Sequence, residues 1–466
     1  MASVADETAD ATSEGQSVRS PGTVAFLAVA LGFFLAALDA TVVNVAGARL
    51  ADDLDLSLSS LTWAVDGYML PFAALLLLTG ALAGRYGAKS FYMAGLALFV
   101  AASVGCALAP GGAALVTARM VQGAAAALFL PASLVLLMST FTDPGRRARI
   151  VALWSAAGAT ASGIGPVVGG LLVNSLGWRS IFWLNLPVGL LGLALTARVI
   201  RPVPGRAGEK VSLGGHACGG LALVAASYTL IEGPEQGWGS PPILVGAVVA
   251  LAACVLFVVR ERRSKVPVFP VRLFADARFA TANAVGFLIN FGLYGVLFMI
   301  GLLLQREYGS SPLQAGAQML PMMIVFVVGN LTFARIAPTV GVRLPTLAGL
   351  SAASVLSLVM AALSSSDTPY WVLAIALSVA NLGIGFTAPA MTAALMEAAG
   401  PADAGIGSAA FNANRQIGTL VGVAAAGAAL ASASDWYDGA RVTFSVAGLA
   451  YLLGLLLVAR FIRTSP

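Results

Sequence analysis

The chain has 466 residues, of which 59% are hydrophobic and 10% charged, whereas soluble domains carry roughly 25% charged residues. This composition excludes a soluble enzyme or binding domain and indicates an integral membrane protein. The net charge of +5 is no sign of nucleic-acid binding, because the basic residues are divided among short loops between apolar runs.

Windows near the roughly 20 residues that cross a bilayer give about fourteen apolar segments. They lie near 24–46, 61–82, 91–109, 114–139, 149–173, 180–200, 214–232, 243–260, 279–302, 313–335, 344–363, 369–395, 407–432 and 442–462. Residues 1–22 hold Asp6, Glu7, Asp10 and Glu14, lack the basic stretch of a signal peptide, and are expected to form a disordered cytosolic tail.

Span one is uncharged except for Asp39. A carboxylate at membrane depth costs about 2.5 to 3.5 kcal/mol on insertion scales, so it marks an ion pathway or a substrate site. Span two carries Asp66 and span four Arg119. At a rise of about 1.5 Å per residue, Asp39 lies roughly 22 Å from the cytosolic start of its span, and Asp66 and Arg119 about 8 Å below the opposite surface. The three charges are therefore expected to share one layer, facing a cavity or pairing with one another. Movement of Arg119 relative to Asp39 would then change the carboxylate's proton affinity.

Between spans two and three the turn from Gly80 through Arg85 and Gly87 to Lys89 is short, basic and glycine-rich, and should hold its helices closely on the cytosolic side. It lacks the spacing of a phosphate loop. Span five contains Gly158, Gly163, Gly165, Pro166, Gly169 and Gly170. Small residues four apart let helix backbones approach and proline permits a bend, which suits a moving interface.

After span six, the stretch from Arg201 to Lys210 and that from Arg260 to Arg278 read as basic linkers around an inserted pair of spans. His216, at the edge of span seven, is an ordinary helix-end residue, since a metal site needs several ligands. Cys106, Cys218 and Cys254 are expected to be buried singly in spans, with neither a disulfide framework nor a metal cluster. In span thirteen, Asn412, Asn414, Arg415 and Gln416 form a second polar layer; Arg415 could bind an anionic group, serve a cytosolic gate, or cap carbonyls.

Met69-Leu70-Pro71 through Arg85 aligns without gaps to Met319-Leu320-Pro321 through Arg335, and Gly87, Lys89 and Ala94-Gly95-Leu96 align to Gly341, Arg343 and Ala348-Gly349-Leu350. Such a repeat marks a transporter built from two related halves. The expected divisions are the tail 1–22, a six-helix bundle 23–200, a linker with two extra spans 201–278, and a second bundle 279–466. Gly316 stands where the first half has Asp66, so proton or cation chemistry is expected in the first half. Arg85, Lys89, Arg146, Arg147, Arg149 and the two linkers fall on the side of the N-terminus, against Arg49, Arg179, Arg306 and Arg441 on the other, which predicts both termini in the cytosol.

Leu38-Asp39-Ala-Thr41-Val-Val-Asn44, Trp63-Ala-Val-Asp66-Gly67-Tyr68, Arg119-x-x-Gln122-Gly123, the glycine and proline run of span five, and Asn412-x-Asn414-Arg415-Gln416 resemble motifs of the major facilitator superfamily. The likeness covers nearly the whole chain and is to its fourteen-span drug:proton antiporters, of the methylenomycin A resistance type. Gly84 departs from the pattern, standing where that family usually has an acid that latches the cytosolic side.

The resemblance implies an all-α integral membrane fold, with two six-helix bundles around a central cavity plus two inserted helices. It also implies efflux of a small amphipathic drug driven by proton entry through alternating access. Asp39, Asp66 and Arg119 become candidates for proton coupling, and Asn44, Trp63, Tyr68, Gln122, Asn412 and Arg415 for substrate contact. Phe129, Asn290, Tyr294 and Asn381 are candidate cavity residues, with ordinary helix packing the favoured reading of each. Gly80, Arg85, Gly87, Lys89, Gly165, Pro166, Gly169 and Gly170 are candidates for gating and packing.

Proton-coupled uptake of an organic metabolite is the alternative, and the span-five run weighs against it. A membrane enzyme lacks a catalytic cluster, a nucleotide-driven pump lacks a P-loop, and the bendable, duplicated architecture disfavours a channel. The expected partners are a small-molecule drug, protons and the lipid bilayer of the cell membrane. No nucleic acid, metal or cofactor is expected, and a monomer is the expected unit.

Overall fold

Backbone polar groups in lipid must be satisfied within the segment that carries them, so apolar runs of this length close into helices. A computed structural model describes residues 21–141, 143–202, 204–205, 212–264, 267–269 and 271–462. The helices are α1 (Pro21–Leu54), α2 (Leu58–Tyr86), α3 (Ala88–Ala107), α4 (Gly112–Thr140), α5 (Pro144–Leu176), α6 (Ser180–Trp183), α7 (Asn185–Val199), α8 (Leu213–Gln236), α9 (Pro241–Arg263), α10 (Ala277–Arg306), α11 (Pro312–Val340), α12 (Arg343–Leu363), α13 (Tyr370–Ser432) and α14 (Trp436–Phe461). Among the described residues, 13 helices are long and apolar enough to cross a membrane. The tail expected over 1–22 lies outside the described residues except for Pro21 and Gly22, which begin α1.

Two departures from one helix per span concern the site. The sixth span, Ser180–Val199, is divided at Leu184 into α6 and α7 by the hydrogen bond that Pro187, with no N–H to give, does not make, while Leu184 itself stays helical with φ −57° and ψ −35°. α13 turns at Gly400, whose φ of 70° favours a residue without a Cβ. A Cβ on Gly407 would stand 3.2 Å from that of Ala399, whereas eight residues of straight helix would separate them by about 12 Å. The second arm, 401–432, therefore runs back beside the first.

Packing follows the internal repeat. α1 lies along α5, where Gly169 approaches Val42 and a Cβ on Gly165 would collide with Thr41. In the other half α10 lies along the second arm of α13 in the same way, with Gly418 against the Phe287 carbonyl and Gly422 against that of Phe291. α2 sits on α4 through Gly123, and α11 sits on the first arm of α13 through Gly329 and Gly385. α2 and α11 are each 29 residues long and carry the aligned prolines Pro71 and Pro321.

The halves meet at the face opposite the termini. Gln305 donates to the Val45 carbonyl over 3.0 Å and Arg306 pairs with Asp52 at 2.6 Å, both from α10 to α1. α5 and α11 approach so closely that a Cβ on Gly170 would strike the Pro312 carbonyl and one on Gly316 that of Pro166. This explains the asymmetry of the repeat: where α2 has room for Asp66, α11 presents its backbone to α5.

The inserted helices α8 and α9 pack on each other, and α8 lies against both α2 and α13. Ser59 donates to the Ile231 carbonyl at 2.7 Å and Trp63 Nε1 to Glu232 at 2.8 Å. α9 is peripheral, with Leu244, Val248, Leu251 and Val255 exposed along one side. Its position corrects the expectation that all three cysteines are buried: Cys106 is buried, Cys218 half-buried, and Cys254 on α9 exposed.

Candidate transport site

Asp39 and Arg119 are each 1% exposed and form an ion pair between α1 and α4. Burying two charges is costly unless their remaining hydrogen-bonding capacity is used, and here the surroundings supply partners. Asp39 Oδ1 accepts from Gln122 Nε2 at 3.0 Å and from Asn185 Nδ2 at 2.8 Å, while Oδ2 accepts from Arg119. Arg119 also donates to Gln122 Oε1 at 2.8 Å and to the Ala64 carbonyl at 3.2 Å. Its guanidinium lies 4.6 Å from the ring centroid of Tyr68, within cation–π range.

Ser103 ties this group to a third and a fourth helix. It accepts from Asn185 at 3.0 Å and donates to the Phe182 carbonyl at 2.9 Å. Asn185, the first residue of α7, stands beside the carboxylate. Neither Ser103 nor Asn185 was identified from the sequence. Asn185, a buried amide just before Pro187 in an apolar run, carried a usable signal; one serine in span three carried none.

Of the three charges expected in one layer, Asp39 and Arg119 pair with each other, and Asp66 stands apart from that pair. Asp66 is wholly buried, and neither of its oxygens has a hydrogen-bond partner among the described residues. The adjacent Gly67 is what faces α4: a Cβ there would lie 3.4 Å from the Val116 carbonyl and 3.7 Å from Arg119 Cβ. One residue turns the helix by about 100°, which carries Asp66 off that face. It shares a face instead with Ser59 and Trp63, seven and three residues before it, both bonded to α8.

The other expected contacts divide by environment. Trp63 is engaged by Glu232 of the inserted pair, and Tyr68 and Gln122 belong to the ion-pair network. Phe129 is fully buried and edge-on to Phe99 and Tyr92, with ring centroids 5.5 and 6.1 Å away. Asn44 adjoins the contact between halves, where a Cβ on Gly301 would lie 2.8 Å from its carbonyl oxygen. Asn290 and Asn381 donate to carbonyls one turn earlier, and the side-chain oxygens of Asn44 and Asn381 are buried without partners. Asn412 and Arg415 are half-buried on the second arm of α13.

Of the candidate gating residues, Lys89 donates to the Ile200 and Ala197 carbonyls at 2.6 and 3.1 Å, capping the end of α7. Arg85 lies 5.2 Å from the ring centroid of Tyr86, and Gly87 adopts φ 105° between α2 and α3. Gly80 approaches Pro131 of α4. Gly165 and Gly169 face α1, while Pro166 and Gly170 meet α11 across the halves.

Two helical bundles joined face to face, with a charge network buried inside one of them, define a membrane carrier. The chain matches the Major Facilitator Superfamily family model over residues 29–423 and belongs to that family. It is 50% identical to the methylenomycin A resistance protein of Streptomyces coelicolor over 95% of this chain and 93% of that one. It is 46% identical to the methylenomycin A resistance protein of Bacillus subtilis, over 96% of each. The tetracenomycin C resistance and export protein of Streptomyces glaucescens is 31% identical over 85% of this chain and 74% of its own length. Among solved structures, a peptide transporter POT in complex with sulfate superposes with a TM-score of 0.68 over 94% of both chains at 15% identity, which bears on the fold alone. The resemblance drawn from the motifs is thereby borne out.

Proposed function

We propose that the protein exports a small amphipathic, antibiotic-like compound across the cell membrane in exchange for protons, by alternating access. The observation that carries the proton step is the Asp39–Arg119 pair: a buried carboxylate whose counter-charge sits on another helix. Separating α1 from α4 would remove the cation, and protonation would then relieve an uncompensated charge. Asp66 is a second acceptor on the same grounds, being buried with no cation bonded to it. Export is supported by relatives named for resistance, two of them 46% and 50% identical over nearly the whole chain.

Alternating access is supported by the way the halves touch. Backbone contacts through glycine can separate and re-form without repacking large side chains. The test is direction and energy source. Cells expressing the protein should accumulate less of a transported compound than empty-vector cells, and a protonophore should erase the difference. Greater accumulation would make the protein an importer, and a difference that survives the protonophore would remove the proton from the mechanism.

A further inference from the structure

We propose that the exported compound is an organic anion, such as a carboxylate, and that Arg415 is its counter-charge; this rests on the export reading above. Among the described residues, Arg415 forms no ion pair and its side chain makes no hydrogen bond to protein, and its Nε is buried without a partner. Its surroundings are aromatic, with Phe411 5.9 Å away by ring centroid and the Tyr294 hydroxyl within electrostatic reach. This is unlike Arg119, whose charge is met by Asp39, Gln122 and a backbone carbonyl.

Arg415 shares its helix face with two other polar residues. Asn412, Arg415 and Thr419, at intervals of three and four, share one face of the second arm of α13, while Ile417, Val421, Ala424 and Ala428 occupy the other. An intramembrane charge turns to the interior or to a water-filled cavity. Asn290 and Tyr294, four apart on α10, share a face of the helix packed along that arm. A cation beside aromatic rings, with no protein anion paired to it among the described residues, is complementary to a small apolar molecule bearing a carboxylate.

The cation is also well separated from the proposed proton carriers. Gly427 approaches Thr62 where α13 and α2 pack antiparallel, so Asp66 is level with about residue 423. Arg415 is then roughly 12 Å further toward the face with the termini. An anion at Arg415 and a proton on Asp66 need not compete for one position. An outward anion and an inward proton also move charge in the same sense, so the exchange is electrogenic.

The experiment uses membrane vesicles containing the full chain and matched probes: hydrophobic carboxylates, their methyl esters and amines of equal size. Wild type should export carboxylates about 10- to 100-fold faster than their esters or amines, and Arg415→Gln should lose a similar factor while Arg415→Lys keeps most of the rate. Transport of carboxylate should quicken when a potassium diffusion potential favours outward movement of anions, a readout that requires no variant. Proton-dependent export of esters or amines at rates equal to the acids, indifference to the potential, or wild-type carboxylate export by Arg415→Gln would overturn the anion assignment and leave the efflux reading standing. Carboxylate export that persists without a proton gradient would instead overturn proton coupling and leave the anion assignment intact.

Discussion

Three side chains on two other helices donate to Asp39 at membrane depth. Each donor has its own consequence. Arg119→Ala leaves the carboxylate buried beside neutral amides and should destabilise the fold by about 3 to 5 kcal/mol. Asn185→Ala removes one neutral donor and should cost about 1 to 3 kcal/mol. Unfolding of the purified variants in detergent would rank them, and equal losses would mean that the charge is not what the pocket stabilises. Asp39, Asp66 and Arg119 were legible because charges in apolar runs are rare. The network around them was not, since serine and asparagine in a membrane helix are too common to signal a partner, and periodicity names a face without naming the neighbour it meets.

At the scale of helices, the glycines of α5 illustrate the same limit. Their clustering with Pro166 announced close approach, yet their division between α1 and α11 emerges only in three dimensions, Gly165 and Gly169 serving one and Gly170 the other. Gly316→Val should disrupt the α5–α11 contact through the Pro166 carbonyl while leaving the Asp39 network intact. Bulky maleimides should then label cysteines placed at the face opposite the termini at least about threefold faster, and unchanged labelling would show that this contact does not hold that face closed. The inserted pair was readable as an insertion from the offset of the repeat. That α8 docks on α2 beside Asp66, through Ser59 and Trp63, was not, because Glu232 lies near the end of its span and reads as an interfacial charge.

For the whole molecule, the fold was legible from hydropathy, loop charge and the repeat, which together specify fourteen crossings and two related halves. The contact between halves was not, because it depends on backbone approach and on polar pairs such as Asp52–Arg306 outside the motifs. If the halves rock, a cross-link between Asp52→Cys and Arg306→Cys, in a background lacking Cys106, Cys218 and Cys254, should stop transport and reduction should restore it. Transport at full rate while cross-linked would exclude opening at that face. The central claim, that a carboxylate in the first half carries the proton exchanged for substrate, is tested most directly in inside-out vesicles with an acidified lumen. Addition of a transported compound should release lumenal protons through the wild-type protein and release none through Asp39→Asn at equal abundance; equal release by the two would contradict it.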